Sequence, residues 1–211
     1  MQEGDIYFDI GANYGNRIAP ILKIGVKSII AVEPQTDCCE YLRERFKNIT
    51  VIQQGAGEKE ETKLFYIANE NVLSSFSEEF INATKQTRFS GNQWNKTAEV
   101  KITTLDKLIQ DYGSPKFIKI DVEGYELEVL RGLTTPVNFI SFEYTVPELS
   151  HKLQLAILRL KEIGNCEFNY SVGESMKMAN ESWTEFDDMI EFISSEEFIK
   201  TGFGDIYVRF N

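Results

Sequence analysis

Tyr7 to Asn16 read YFDIGANYGN, and this stretch near the start of the chain decides the fold. A short apolar run reaches the acid Asp9, after which Gly11 and Gly15 bracket a polar turn. Glycine lets a backbone turn tightly and lets a ligand approach it, and ligands of open α/β sheets bind beyond the carboxyl ends of the strands. The stretch therefore predicts a ligand-binding turn, although an ordinary turn between a strand and a helix also tolerates glycine.

A second acid, Glu33, ends the next apolar run, Ser28–Glu33 (SIIAVE), about twenty residues after the glycine turn. In dinucleotide-binding folds a carboxylate at this place accepts hydrogen bonds from both hydroxyls of a ribose. The turn itself, GANYG, fits neither G-x-G-x-x-G nor the phosphate-binding G-x-x-x-x-G-K-[ST] pattern. The acids and glycines together indicate an adenosine-type cofactor without a diphosphate, and a cationic sulfonium with an amino-acid tail fits best.

Short apolar runs alternate with longer helical patterns along the chain, which predicts a mostly parallel sheet flanked by helices. The expected strands are Ile6–Ile10, Ser28–Glu33, Ile49–Gln53, Thr62–Ile67, Glu99–Thr103, Lys116–Asp121, Val137–Tyr144, Phe168–Val172 and Asp205–Phe210. The expected helices are Asn16–Ile24, Asp37–Lys47, Leu105–Asp111, the run between Asp121 and Gly132, and Pro147–Ile163. Since no repeat and no boundary is visible, residues 1–211 are expected to form one domain.

The regular pattern weakens between about residues 69 and 98, where Ser, Asn, Thr, Gln and Gly dominate. A long irregular segment in a compact domain is usually functional, so this one is a candidate acceptor-site loop, with a loosely packed surface insertion as the alternative. Ser74 and Ser75, beside Phe76, offer hydroxyls and an aromatic face to a sugar or polyol. A polar loop that caps a helix from Glu78 explains the same residues without a ligand.

Composition narrows the class of function. A formal net charge of −11, without a cluster of Lys and Arg, argues against nucleic acid as a substrate. No apolar stretch approaches the ~20 residues that cross a bilayer, and no signal-peptide pattern is visible, so a cytoplasmic protein without a transmembrane segment is expected. Cys38, Cys39 and Cys166 lack metal or disulfide spacing, and the single histidine, His151, excludes a metal site with two histidine ligands.

Five segments, in order, resemble the FkbM-type family of S-adenosylmethionine-dependent methyltransferases: DIGANYGN at Asp9–Asn16, Glu33-Pro34, TTLDKL at Thr103–Leu108, FIKIDVEGYELEVLRG at Phe117–Gly132 and ISFEY at Ile140–Tyr144. IDVEGYE…VLRG is the most specific part. The resemblance implies an α/β class I methyltransferase (Rossmann-like) fold, with a seven-stranded, mostly parallel sheet, an antiparallel strand and helices on both faces. It also implies methyl transfer from S-adenosylmethionine, usually onto a hydroxyl oxygen of a sugar or natural product, with S-adenosylhomocysteine as product.

Matched by position, the resemblance implies a role for each residue of the motifs. Asp121, at the end of the KFIKID strand, faces the methyl donor and the acceptor. The residues expected to bind the cofactor are Asp9, Gly11, Asn13 and Gly15 around its methionine part, Glu33 at the ribose, and Gln54, Gly55 and Ala56 along the adenine.

Methyl transfer from a sulfonium to a hydroxyl group requires an oriented acceptor and a base. A sulfonium is already an activated leaving group, so positioning supplies much of the acceleration, while an alcohol must still lose its proton. Asp121 and Glu123 are the candidate catalytic residues; the alternative is that Asp121 caps the next helix and Glu123 lies in its first turn. Glu143, an acid inside an apolar strand, is expected to face the acceptor or to pair with Lys119.

The sequence thus predicts an O-methyltransferase with a small-molecule or glycan acceptor. Transfer to nitrogen or carbon is the alternative among enzymes, and a cofactor-binding module without activity is the alternative outside them. Asp121, Glu143 and another acid offer the oxygen ligands that Mg²⁺ prefers. Because no spacing demands an ion, no metal is predicted.

Overall fold

The computed structural model describes residues 1–211, which form ten strands and eight α-helices. The strands are β1 Ile6–Ile10, β2 Ser28–Val32, β3 Thr50–Ile52, β4 Gly55–Ala56, β5 Glu61–Ile67, β6 Lys96–Thr103, β7 Phe117–Ile120, β8 Phe139–Thr145, β9 Cys166–Val172 and β10 Phe203–Phe210. The helices are α1 Ile18–Leu22, α2 Thr36–Arg45, α3 Glu78–Thr84, α4 Leu105–Tyr112, α5 Glu126–Arg131, α6 Ser150–Ile163, α7 Phe186–Ile193 and α8 Glu196–Ile199. None of these helices is both long and apolar enough to span a lipid bilayer.

The main sheet has seven strands in the order β3-β2-β1-β7-β8-β10-β9. The pairs β1–β2, β2–β3, β1–β7 and β7–β8 are parallel, whereas β10 runs antiparallel to both β8 and β9. The strand order reverses between β1 and β7, so the segments that follow these strands diverge and leave a crevice at their carboxyl ends. This arrangement confirms the predicted fold class.

Successive residues of β1 point to opposite faces of the sheet, and both faces are covered by helices. Phe8 and Ile10 belong to a large core cluster that includes side chains of α4, α5, α6 and α7. Tyr7, on the other face, packs in a smaller cluster with Ile18 of α1 and Leu42 of α2. Helices therefore cover both faces, as predicted, and hold the strand ends in place.

The predicted strands Thr62–Ile67 and Glu99–Thr103 exist, as β5 and β6, but they do not join the main sheet. They pair antiparallel in a separate three-stranded sheet with the order β4-β6-β5. The short strand β4, which the sequence does not reveal, pairs in parallel with β6. Both β5 and β6 carry many exposed or half-buried residues, as expected for a sheet that is open to solvent on one face.

The segment at residues 69–98 is more regular than its composition indicates. It contains a 3₁₀ turn at Asn71–Leu73, helix α3 and the start of β6. The Ser77 hydroxyl accepts a hydrogen bond from the Phe80 amide and so caps α3, which agrees with the helix-capping alternative. The Trp94 indole donates to the Leu73 carbonyl at 2.7 Å and ties the two ends of the segment together.

The C-terminal part contains two helices, α7 and α8, that the sequence analysis does not predict. Met189 and Ile193 of α7 and Phe198 of α8 are buried in the large core cluster. In the sequence, the two helices come between β9 and β10. They form the connection that lets β10 return to the sheet and pair antiparallel with both β8 and β9.

Candidate active site

A cavity of about 470 Å³ opens at the carboxyl ends of the central strands, at the point where the strand order reverses. Most of the residues that the sequence predicts for the site line this cavity: Asp9, Gly11, Asn13, Glu33, Gln54, Gly55, Ala56, Ser74, Asp121, Glu123 and Glu143. Gly15 and Ser75 do not. The cavity therefore brings together residues from turns that are more than one hundred positions apart in the chain.

The turn after β1 packs directly on the turn after β7, and Gly11 makes this possible. Gly11 has a φ of +82°, and a Cβ added there would lie 1.8 Å from the backbone oxygen of Asp121. Its amide donates to the Val32 carbonyl at 2.9 Å, which joins the same turn to β2. A side chain at this position would push the strand ends apart.

Gly15 has a packing role that the resemblance does not imply. It lies outside the cavity, and a Cβ there would come within 2.7 Å of Leu42 and Phe46. With a φ of +76°, Gly15 lets the turn pack closely against α2, and its contact with the methionine part of a cofactor stays a prediction. The glycine is needed for packing, which a motif alone does not distinguish from binding.

Glu33 is 2% exposed and is fixed by backbone donors. Its Oε2 accepts a hydrogen bond from the Asn13 amide at 2.9 Å, and its Oε1 accepts from the Gln35 amide at 2.9 Å and from the Gln35 side chain at 3.3 Å. Burial raises the pKa of Glu33, and these hydrogen bonds oppose the rise. Each carboxylate oxygen has lone pairs left over, so Glu33 can still accept hydrogen bonds from a pair of hydroxyls in the cavity.

Asp9 is equally buried, at 2% exposed, but its Oδ2 has no hydrogen-bond partner. Burial raises the pKa of Asp9 to about 7, although the Lys119 ammonium opposes this. An unpaired buried polar atom is rare because it costs free energy. Since Asp9 lines the cavity, a cationic donor of a ligand would satisfy it.

Another end of the cavity is more apolar. Gln54, Gly55 and Ala56 line it next to the rings of Phe65 and Phe76, whose centroids are 4.6 Å apart. A Cβ on Gly55 would lie 2.5 Å from the Phe76 ring, so only glycine allows this close approach. Backbone amides and aromatic rings at this end suit a planar, polar-edged ring such as adenine.

Asp121, Glu123 and Glu143 form an acidic end of the cavity. Each offers a carboxylate oxygen that lies within 4.8 Å of those of the other two, close enough for shared protons or for one cation. Burial, together with the negative charge of Asp121, raises the pKa of Glu123 and of Glu143 well above the usual value for a glutamate. The sequence predicts no metal, and that stays a prediction.

Two structural alternatives for these acids are wrong. Helix α5 begins at Glu126, so Asp121 caps no helix; the Glu126 carboxylate instead accepts hydrogen bonds from the amides of Val122 and Gly124. Lys119 forms no ion pair with Glu143. Its ammonium lies 2.6 Å from Asp205 and 3.3 Å from Asp121. Asp121 is therefore free of a capping role and faces the cavity.

The two serines that are predicted to bind substrate lie in different environments, one in the cavity and one behind its lining. Ser74 lines the cavity, where its hydroxyl donates to the Gln35 side chain at 3.2 Å. Ser75 is fully buried behind the lining, and its hydroxyl donates to the Glu123 carbonyl at 2.7 Å. Ser75 therefore stabilises the loop that carries Glu123, and it offers no hydroxyl to the cavity.

The structure adds lining residues that the sequence analysis did not assign to the site. Arg17 follows the glycine turn and pairs with Glu174 at 2.7 Å, next to the exposed Met176. Gln35 and Lys119 also line the cavity. The sequence offers a signal for Lys119, because a lysine inside the apolar KFIKID strand is unusual. Nothing in the sequence links Glu174 to Arg17.

Comparison with known proteins agrees with this geometry. The model of the methyltransferase FkbM domain matches residues 9–200. The hexuronic acid methyltransferase AglP of Haloferax volcanii is 26% identical over 147 residues, which cover 67% of this chain and 55% of AglP. The chain thus spans about half the length of this curated relative.

Solved structures share the fold at low identity. Methyltransferase FkbM from Methylobacillus flagellatus superposes with a TM-score of 0.58 at 17% identity, over 99% of this chain and 44% of that one. A dimethyladenosine transferase from Plasmodium falciparum reaches a TM-score of 0.50 at 11% identity, over 100% of this chain and 57% of that one. The match of the family model over most of the chain, with the cavity at the switch point of the sheet, shows that the chain belongs to the FkbM methyltransferase family.

Proposed function

We propose that this chain is an S-adenosylmethionine-dependent methyltransferase that methylates a hydroxyl oxygen of a small-molecule or glycan acceptor. One observation carries the proposal: Asp9 and Glu33, at the ends of neighbouring parallel strands, line one cavity beside the acids of the β7 end. In this proposal one cavity would offer a partner for an ammonium group, a partner for a ribose and a region for the reaction.

The residues present fit the cofactor. The unpaired Oδ2 of Asp9 would accept a hydrogen bond from the ammonium group of the methionine part. Glu33 would accept the ribose hydroxyls, and the backbone of Gln54, Gly55 and Ala56 would border the adenine. When bound, the cofactor supplies a methyl group on a positively charged sulfur.

The chain's own contribution is to bind and orient the acceptor. Asp121 would accept a hydrogen bond from the acceptor hydroxyl and take its proton. Glu123 and Glu143, whose raised pKa values favour the protonated form, would donate hydrogen bonds to neighbouring acceptor oxygens. Because this end of the cavity holds several carboxyl groups, it suits an acceptor with several hydroxyls, and the relative named as a hexuronic acid methyltransferase supports a sugar-like acceptor.

Turnover tests this proposal. The chain is incubated with S-adenosylmethionine and a panel of sugars, polyketide alcohols, amines and peptides, and S-adenosylhomocysteine release is measured. We expect release with a hydroxyl-bearing sugar or natural product. Release only with amines or peptides would move the transfer to nitrogen, and binding of S-adenosylmethionine without release on any acceptor would favour an inactive binding module.

Replacing Glu33 with alanine should weaken S-adenosylhomocysteine binding by about 1–3 kcal/mol, because the ribose hydroxyls lose a buried partner. Isothermal calorimetry measures the change. Glu44→Ala, on the exposed surface of α2, is the control and should leave the affinity unchanged. An unchanged affinity in Glu33→Ala would place the ribose elsewhere.

Cofactor affinity should depend on pH through Asp9, whose pKa lies at about 7. The ionised carboxylate is the form that pairs with the ammonium group, so S-adenosylhomocysteine should bind about tenfold more weakly at pH 6 than at pH 8. Calorimetry at several pH values gives the midpoint. A flat profile in the unchanged chain would show that Asp9 does not contact the ligand's charge.

Asp121→Asn should lower the rate of methyl transfer about 100-fold, because an amide holds the hydroxyl poorly and takes no proton. Cofactor affinity should change by less than about threefold, which is under 1 kcal/mol. Single-turnover kinetics and calorimetry separate the two quantities. An equal loss of rate and affinity would give Asp121 a role in holding the site together instead.

A further inference from the structure

Lys119 is a buried charge that is surrounded by oxygen atoms. Lys119 lines the cavity, and only 4% of its surface is exposed to solvent. The ammonium donates to Asp205 at 2.6 Å and to the Ile120 carbonyl at 3.3 Å, and it lies 3.3 Å from an oxygen of Asp121. The ammonium thus makes two hydrogen bonds, to Asp205 and to the Ile120 carbonyl, and one further ion-pair contact, with Asp121.

The Lys119 side chain extends from β7 across the neighbouring strand β8 to reach Asp205 on β10. In the order β7-β8-β10, Asp205 lies two strands away from Lys119, at roughly twice the ~4.8 Å spacing of neighbouring strands. On β8, between them, Ser141 pairs in register with Lys119, and Glu143 pairs in register with Asp205. Ser141 is small, so it leaves the lysine room to reach across β8 to its partner.

The position of Asp121 depends on this lysine. Asp121 follows β7 in a loop, caps no helix, and has Lys119 as its single ion-pair partner. The other titratable groups near Asp121 are mostly carboxyl groups, and Arg17 is the second cation: the carboxyl groups are Asp9 on β1, Glu123 and Glu126 after β7, Glu143 on β8 and Asp205 on β10. Without the ammonium, no ion pair would fix the orientation of the Asp121 side chain.

We propose that Lys119 is a positioning residue of the methyl-transfer site: anchored by Asp205, its ammonium fixes the Asp121 carboxylate where the methyl group is presented. This inference rests on the proposed methyltransferase function. A purely structural ion pair would need Asp205 alone, and an apolar pair in its place is often as stable. The second carboxylate, which extends into the cavity, is what points to a role in the site.

Binding of two cofactor analogues tests the proposal without knowledge of the acceptor. Sinefungin carries a protonated amine where S-adenosylmethionine carries its methyl group, whereas S-adenosylhomocysteine has nothing at that point. A carboxylate held at the methyl position should therefore bind sinefungin about tenfold more tightly than S-adenosylhomocysteine. Calorimetry gives this preference as a ratio of the two dissociation constants.

The variants form a double-mutant cycle. Asp121→Asn should remove the preference, and K119M/D205N, which removes both members of the buried Lys119–Asp205 pair, should reduce it by a similar factor because Asp121 loses its ion-pair partner. Adding Asp121→Asn to K119M/D205N should change the ratio by less than about twofold, because Lys119 acts through Asp121. Thermal unfolding checks that each variant is folded.

A matched control uses another lysine pair. Lys107 and Asp111 form an ion pair on the surface of α4, away from the cavity, so K107M/D111N should keep the full preference for sinefungin. If K119M/D205N does not fold, Asp205→Asn takes its place in the cycle. This single substitution removes the carboxylate that anchors Lys119 and keeps the lysine itself.

Two results would overturn the inference: an unchanged preference in K119M/D205N or Asp205→Asn, or an equal effect of Asp121→Asn with and without the lysine pair. The proposed function would fail differently, since the unchanged chain would then bind neither analogue.

Discussion

Gly11→Ala is expected to destabilise the chain by about 2–5 kcal/mol, the sum of a left-handed backbone penalty and an overpacked contact. The added Cβ would lie 1.8 Å from the backbone oxygen of Asp121, and a backbone atom cannot move aside as the end of a flexible side chain can. The ends of β1 and β7 would have to separate, which would also open the cofactor cavity. Urea unfolding, followed by circular dichroism, measures the loss.

Gly91 provides the matched control for this substitution. No heavy atom lies within 4 Å of a Cβ built there, so Gly91→Ala should change the free energy of unfolding by less than about 0.5 kcal/mol. If Gly11→Ala were as mild as Gly91→Ala, the two strand ends would not meet as described.

Asp9→Asn should have opposite effects on stability and on binding. Without ligand, at pH 8, the variant should be about 1–3 kcal/mol more stable, because a carboxyl whose pKa is raised to about 7 is ionised there at a cost. With S-adenosylhomocysteine, the affinity should fall by about 2–5 kcal/mol, the range for removing one partner of a buried charge pair. Thermal unfolding and calorimetry measure the two changes.

The sign of the stability effect follows from the pKa shift. The folded-state pKa of Asp9 lies above that of the unfolded chain, so the folded state binds the extra proton between about pH 4 and pH 7, and the unliganded chain loses stability as pH rises through this range. Asp9→Asn should remove that part of the pH dependence. Asp188→Asn, on the exposed face of α7, is the control for the charge change alone. A variant that is less stable at pH 8 and binds as before would contradict the role of Asp9.

The central part of the site could be predicted because local patterns encode it. Apolar runs that end near Asp9, Glu33 and Asp121 indicate parallel strands, and the carboxyl ends of such strands meet at one edge of the sheet. The structure brings all three acids to one cavity.

Other features depend on contacts that no local pattern reveals. Gly15 in the glycine turn and Ser75 in the polar segment at residues 69–98 both look like ligand-binding residues, but Gly15 packs against α2 and Ser75 binds the loop after β7. Likewise, the pair of Lys119 with Asp205 joins residues 86 positions apart and requires a small residue on the strand between them. The division into two sheets also depends on which strands pair, and an alternating strand fits either sheet.

The expected capping role of Asp121 shows that a sequence pattern can misplace the start of a helix. The sequence places an acid directly before a helical pattern, which normally indicates a cap. Here the helix begins only at Glu126, whose side chain binds the loop amides itself. That exchange leaves Asp121 available to the cavity.

The most direct test of the account is a crystal structure of the chain with S-adenosylhomocysteine. We expect both ribose hydroxyls within about 3.2 Å of the Glu33 carboxylate, the ammonium group on Asp9, and the sulfur facing Asp121. A ligand bound away from the ends of β1 and β2, or a cavity closed by side chains with no ligand in it, would contradict the account.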